Sequence, residues 1–505
     1  MKIKKFIKNN KKTLSFIFLL ICFSFFLLCF CNRESDYLWH VTAGKYMLDN
    51  GTILKNDIFS WYMYGKEWMS HEWLFEIMIA FLRNVFGNIH LLIYLFICSF
   101  SLISILFFTN KKSYLKNTVF SLGWIIGLFV ILYGFIQGRP HMISFSFLAL
   151  TIYLYMDLFK NENSKKIYFI PLLSIIWSNV HGGSSSLVYL FGLVFVFSGL
   201  FKFNFSKIES SRISKKQVIK YFIIIFLSMI GICINPHGVS MLIYPYMNMA
   251  DNLMISNITE WQPTVLSELS HYVYFVLVFI IVMIMLLSKK KIKFIDLLLF
   301  GVTLFMGLKS VRFWPYIYIV MSYVIFDYIP DRKDDKGTNL IICVLGCLLL
   351  GIFIGNYNSI DLEKSILSDK MISTIKKESP DRLYNMYNYG GELIYNDIFV
   401  FIDGRADLYS KYNYKDYLNI SYLESDYVEL INKYNFDYFL VDSDYPIYTY
   451  LKYNDEYELI EYYKNSYLYK KKGLNLYWYN KSRQRKKNVY FFCYNNIGGK
   501  TWTMK

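Results

Sequence analysis

The chain has 505 residues, 55% of them hydrophobic and 20% aromatic, with a formal net charge of +16. Several apolar runs reach roughly 18–20 residues, enough for a helix to cross a hydrocarbon core of about 30 Å, which excludes an ordinary soluble enzyme. The lysines sit in short loops between those runs, as the positive-inside rule distributes them, so the basicity reports topology and excludes a nucleic-acid partner.

Residues 1–12 carry Lys2, Lys4, Lys5, Lys8, Lys11 and Lys12 ahead of an apolar run over 13–31. No small-residue cleavage site follows, so the run is read as an uncleaved first span with its N-terminus inside. The polar stretch 32–74 then lies outside. An amphipathic run over 72–86, ended by Gly87, is expected to lie in the interface. Further spans are expected at about 88–108, 118–136, 142–159, 167–180, 184–201, 218–234, 271–287, 294–308, 313–329 and 339–356. The inward turns fall on basic clusters such as Lys111-Lys112, Lys165-Lys166, Lys289-Lys290-Lys291 and Arg332-Lys333. The expected fold is an α-helical polytopic membrane protein of about eleven transmembrane helices, with the segment 167–183 interrupted by Gly and Pro.

After residue 356 the apolar runs stop. Helical patterns over 363–377 and 424–434 alternate with strand-like runs at 382–387, 398–402, 438–442, 459–463 and 468–472, which predicts a small α/β domain outside the membrane. The division is therefore 1–356, transmembrane with the outer loop 32–74; 357–472, extracytoplasmic α/β; and 473–505, an irregular basic tail. The eight cysteines show no CxxC pair and no regular spacing, which gives no disulfide framework and no zinc motif.

That topology places all seven histidines (His40, His71, His90, His141, His181, His237 and His271) at outer ends of spans or in outer loops. Asp36, Glu72, Arg139, Glu260 and Arg312 fall on the same side, with the motifs Gly138-Arg139-Pro140-His141, His181-Gly182-Gly183 and Asn235-Pro236-His237-Gly238. Taken singly, each has a plainer reading: helix-ending Gly and Pro, a hydrogen-bonded interfacial His, a snorkelling Arg. Taken together they predict one pocket, because polar groups near a membrane need partners. Arginine forks fit phosphate oxygens, a carboxylate can take a proton from a hydroxyl or hold a divalent ion, and imidazoles can stabilise a leaving phosphate.

The opening of the outer loop, Asp36-Tyr37-Leu38-Trp39-His40, followed by Asp57, Trp68 and Glu72-Trp73-Leu74, resembles the GT-C superfamily of integral-membrane glycosyltransferases. Trp177-Ser178-Asn179-Val180-His181-Gly182-Gly183, Asn235-Pro236-His237-Gly238, Glu260-Trp261-Gln262-Pro263 and 401–409 (Phe401 through Asp403-Gly404-Arg405 to Tyr409) resemble a group of bacterial polytopic membrane proteins placed near that superfamily. This resemblance implies transfer of a sugar from a polyprenyl-phosphate-linked donor to a lipid or cell-envelope acceptor, with inversion, on the outer face of the cytoplasmic membrane. It implies Asp36 as base or metal ligand and Glu72 as a second catalytic acid. His40, His71, Arg139, His141, His181, His237, Glu260 and Arg312 become substrate-binding residues, and a divalent metal such as Mg or Mn becomes the implied cofactor, with Asp36 as its ligand. The sequence departs from the usual Asp-Glu or Asp-x-Asp of the superfamily, having Asp36-Tyr37 with Glu34 two residues before. The outer domain is expected to be accessory, and Asp403 with Arg405 to be a structural turn holding a local ion pair. Two rival classes stay open: a transporter or flippase for a lipid-linked substrate, and a non-catalytic envelope assembly protein.

Overall fold

The computed structural model describes residues 2–31, 36–68, 70–330, 337–360 and 365–473, with side chains from residue 9 onward. Glu34, the Arg332-Lys333 cluster and the basic tail beyond Gly473 lie outside the described residues. The chain forms two compact units: Met1–Lys55 with Glu67–Lys364, and Asn56–Lys66 with the chain from Ser365 onward.

The first unit is helical. Among the described residues seven helical segments are long and apolar enough to cross a membrane, including Asn9–Phe30, His141–Lys160, Lys215–Cys233 and Thr338–Ser359. Four more of the expected spans are helical but shorter: Thr118–Leu132, Phe169–Val180, Phe294–Lys309 and Trp314–Met321. In a helix every backbone amide is satisfied within its own segment, which is why this composition selects helices in lipid. Trp177, Trp314, Tyr155, Tyr221, Tyr316 and Tyr318 fill the interior, and Phe226, Phe279 and Phe305 stand exposed around it.

Two local breaks shape one end of this unit. Trp73–Phe86 stops at Gly87, whose φ of +56° suits a residue without Cβ, before His90–Thr109 begins. Phe169–Val180 ends at His181 with φ −153°, and a four-residue turn, Gly182–Ser185, precedes Leu187–Gly199. At the other end lies a three-stranded sheet that the periodicity did not predict. Phe203–Phe205 pairs antiparallel with Ile208–Ser210, which pairs parallel with Ile292–Lys293.

The second unit holds a four-stranded sheet in the order Leu383–Asn385, Tyr438–Asp442, Ser466–Lys471, Tyr457–Tyr463. The first pair is parallel and the others antiparallel, with Tyr438 opposite Lys470 and Phe439 opposite Tyr469. The run 398–402, expected as a strand, makes a single bridge, Val400 to Ser60. Side-chain amides replace a ladder there. Phe401 N donates to Asn385 Oδ1 at 2.8 Å, Asn385 Nδ2 donates to the Ile402 carbonyl at 2.8 Å, and Asn413 Nδ2 to that of Phe401 at 3.1 Å.

Arg405 is fully buried in this unit, its Nη1 2.6 Å from Asp57 Oδ1 and its Nη2 2.6 Å from Asp403 Oδ2. Tyr409 donates to Asp403 Oδ2 at 2.5 Å, and Ser60 donates to Asp57 Oδ2. Burial disfavours the guanidinium charge, but Asp403 and then Asp57 more than restore it, pushing the Arg405 pKa well up. The motif at 403–405 is a structural tie whose second carboxylate, Asp57, comes from the segment 56–66.

Candidate functional site

The polar residues of the first unit meet at the end where the breaks occur. Asp36–Asn50 and Trp73–Phe86 pack along each other. Asp36, His40 and Gly44 recur every fourth residue on one helix; Glu72, Glu76 and Ala80 recur likewise at the start of and along the other. Residues four apart share a helix face, so two polar edges come together. His40 Nε2 lies 3.5 Å from Glu72 Oε2 and His40 Nδ1 lies 3.4 Å from Glu76 Oε1. A Cβ on Gly44 would stand 1.8 Å from the Glu76 carbonyl oxygen, so only glycine admits this approach.

Glu72, the residue before Trp73–Phe86, collects imidazoles. Its Oε1 is 3.3 Å from His71 Nε2 and 3.6 Å from His181 Nε2. Burial opposes its ionisation, but His71 and then His40 outweigh burial and hold the carboxyl well below the usual range. His71 Nδ1 is 2.8 Å from the Tyr244 hydroxyl, and its carbonyl accepts from Gly182 N at 3.1 Å. The glycine of the His181-Gly182-Gly183 motif thus pins the two histidine segments together.

A chain of alternating charges continues from His181. Arg312 Nη2 is 3.2 Å from His181 Nε2, Arg312 Nη1 is 3.7 Å from Glu260 Oε1, and Arg139 Nη1 is 3.1 Å from the same oxygen. Arg139 Nη2 is ion-paired with Asp36. The Arg312 guanidinium stands 5.4 Å from the Trp261 ring centre, a cation–π distance. Burial would raise the Glu260 pKa, but Arg139 and Arg312 bring it down to about 2. The side chains of Arg139, Arg312 and Glu260 remain 20%, 22% and 26% exposed, so the chain is open on one side.

Eight of the ten expected site residues therefore form one connected set: Asp36, Arg139, Glu260, Arg312, His181, Glu72, His71 and His40. His141 and His237 lie at its margin. His141 Nε2 donates to the Phe135 carbonyl at 2.7 Å, and His237 Nε2 to that of Ser70 at 3.2 Å. Four members were not singled out from the sequence. Glu76 could have been found from its spacing four residues after Glu72. Ser144 (bonded to His181), Tyr244, and Ser70, which donates to Glu76 Oε2 at 2.8 Å, carry no local signal.

The implied divalent metal finds a poor fit around Asp36, because the Arg139 guanidinium occupies a cation's place beside its carboxylate. Among the described residues no group of three or more His, Cys, Asp and Glu is arranged to hold a metal ion.

No protein-family model and no curated protein matches the chain. Among solved structures it is similar to the crystal structure of the Archaeoglobus fulgidus oligosaccharyltransferase in the apo form, at 11% identity and a TM-score of 0.41. That match covers 82% of this chain, which spans 66% of the other chain's length.

Proposed function

We propose that this chain is a membrane glycosyltransferase that moves a sugar from a polyprenyl-phosphate-linked donor to a lipid or cell-envelope acceptor at the outer face of the membrane. The observation that carries this reading is Arg312 within the connected set. A guanidinium has five N–H donors. Among the described residues Arg312 makes one hydrogen bond, to His181, and its 3.7 Å contact with Glu260 is longer than a hydrogen bond. Donors remain for a phosphate, on a guanidinium held in place by Trp261 beneath and His181 behind.

In the proposed reaction the acceptor hydroxyl attacks the anomeric carbon, and its oxygen forms the new glycosidic bond. The bond from that carbon to the phosphate oxygen breaks, and the phosphate departs with the electron pair. Asp36 takes the hydroxyl proton, oriented by Arg139. Arg312 stabilises the charge gathering on the phosphate. Glu72, ionised among His40 and His71, is the second carboxylate near the reacting atoms.

The test is transfer from a labelled polyprenyl-phosphate monosaccharide in vesicles containing the full chain. Asp36→Asn should lower turnover by about 100-fold or more with undiminished folded protein in the membrane. Arg312→Lys should raise the donor KM more than it lowers kcat, because an ammonium lacks the planar fork. Normal transfer by Asp36→Asn would remove the assignment of the base, and wild-type vesicles that neither bind nor consume any such donor would remove the enzyme.

A further inference from the structure

We infer that the end of the helical unit opposite the acid–imidazole set carries a binding site for the headgroup of an anionic phospholipid. Tyr272–Leu287 and Phe294–Lys309 run between the two ends. Glu260 and Arg312 lie in sequence beyond one end of this helix pair, and Lys289–Lys293 connects its other end, about 24 Å away by helical rise.

A cavity of about 420 Å³ opens there, lined by Glu209, Lys290, Lys291, Lys293, Asp327 and Tyr328. That volume lies within the roughly 300–1,000 Å³ range of small-ligand sites. Its charges are unequally matched. Lys293 is paired with Asp327 Oδ2 at 2.5 Å. Lys290 Nζ instead donates to the backbone carbonyl of Asp327 at 2.6 Å, Lys291 Nζ to the side-chain oxygen of Asn204, and Lys207 Nζ to the carbonyl of Ser288. Neutral acceptors position these three ammoniums without cancelling their charge, and each ammonium has three donors. The Tyr328 hydroxyl donates to Asp296 Oδ2 at 2.7 Å and accepts from the Lys293 backbone N–H at 3.0 Å.

The second observation is apolar. Phe205, at the tip of the hairpin that carries Asn204 and Lys207, is 77% exposed, and Leu287, just before the lysine cluster, is 74% exposed. A lining in which Lys290, Lys291 and Lys293 exceed Glu209 and Asp327, beside outward-facing apolar side chains at the end of a membrane-length helix, matches a molecule that is anionic at its head and hydrocarbon behind it. A free phosphate would use the lysines and leave the apolar neighbours without a role.

The test uses the purified full chain in neutral detergent, with retained lipid counted by native mass spectrometry. Phosphatidylglycerol should be retained at least about tenfold better than phosphatidylcholine, and the double variant Lys290→Gln/Lys291→Gln should lose that preference. Glu209→Gln removes a negative charge from the cavity wall and should tighten phosphatidylglycerol retention, a gain that misfolding cannot imitate. Equal retention of the two lipids, or retention indifferent to both variants, would overturn the site. Displacement of phosphatidylglycerol by an equal concentration of glycerol 3-phosphate would show that the phosphate alone is the ligand, and would overturn the lipid assignment.

Discussion

Arg312 donates from Nη2 to the Nε2 of His181 across 3.2 Å, joining segments 131 positions apart. Arginine can only donate, so this nitrogen accepts and carries no proton. The imidazole proton is therefore on Nδ1 and is donated to Ser144 Oγ, 2.7 Å away. His181 is neutral, and its 3.6 Å approach to Glu72 is not an ion pair. Burial, with Arg312 working against a second proton and Glu72 only partly favouring it, puts the His181 pKa well below the usual 6.5.

His181 is accordingly expected to keep a single proton, on Nδ1, as the pH falls through the ordinary histidine value near 6.5. Nitrogen shifts of labelled histidine in the detergent-solubilised protein read this directly, and a second proton arriving near neutrality would contradict it. The sign for stability follows. The unfolded chain takes a proton near the ordinary histidine value and the folded chain does not, so this contribution is complete above about pH 6.5 and is lost as the pH falls toward the folded value.

Ser144→Ala removes the acceptor of two buried donors, His181 Nδ1–H and Trp177 Nε1–H, the latter at 2.9 Å. Each unmet buried donor costs about 1–3 kcal/mol. Thermal unfolding should show a lower midpoint for Ser144→Ala than for Ser99→Ala, whose hydroxyl is buried without a hydrogen-bond partner in the described structure.

Glu260 is held ionised between two arginines, with its pKa at about 2 in the folded chain. Its stabilising effect is fully present above about pH 4.5, the ordinary glutamate range, and disappears as the pH falls through the folded value. The stability gap between wild type and Glu260→Gln should therefore be widest near neutral pH, narrow below about pH 4.5 and close only below about pH 2. A gap constant across that range would mean that packing, not charge, is what Glu260 supplies.

Gly44→Ala forces the Glu76 backbone away and carries His40 off both carboxylates. A cost of about 1–3 kcal/mol, the usual overpacking range, is expected, together with loss of transfer activity. Gly123→Ala is the control, with nothing within 4 Å of the new methyl, and by helix propensity alone it should be neutral or stabilising by up to about 1 kcal/mol. Unfolding midpoints of the two variants compare them in one experiment.

The helices and the gathering of the site were legible because both rest on long patterns. Apolar runs report spans, and lysine-rich turns assign every histidine to one side before any contact is known. Particular partners were not legible. Nothing near residue 144 or 244 announces that Ser144 will hold His181, or Tyr244 His71, because each contact is set by how helices cross. The run 398–402 looked like a strand because its residues are β-formers, and three side-chain amide bonds outcompete a neighbouring strand for its backbone. The hairpin at 203–210 falls between the expected spans 184–201 and 218–234, where no apolar periodicity marked a strand.

Asp57→Ala should be among the more damaging single changes, since it leaves the buried Arg405 with one carboxylate where it had two. Breaking a buried pair by removing one partner costs about 3–5 kcal/mol. Limited proteolysis of the full chain should then show new cleavage within 56–66, and an unchanged digestion pattern would argue against the tie.

The same tie sets an order of events during synthesis. Asp57 leaves the ribosome 348 residues ahead of Arg405, an interval of about 20–70 s at ordinary elongation rates. Through that wait the eleven residues 56–66 are translated but cannot be buried, while every later hydrophobic helix is threaded into the bilayer. A chain cut short before residue 405 would leave Asp57 without its guanidinium, and quality-control proteases would find the segment on an otherwise inserted protein.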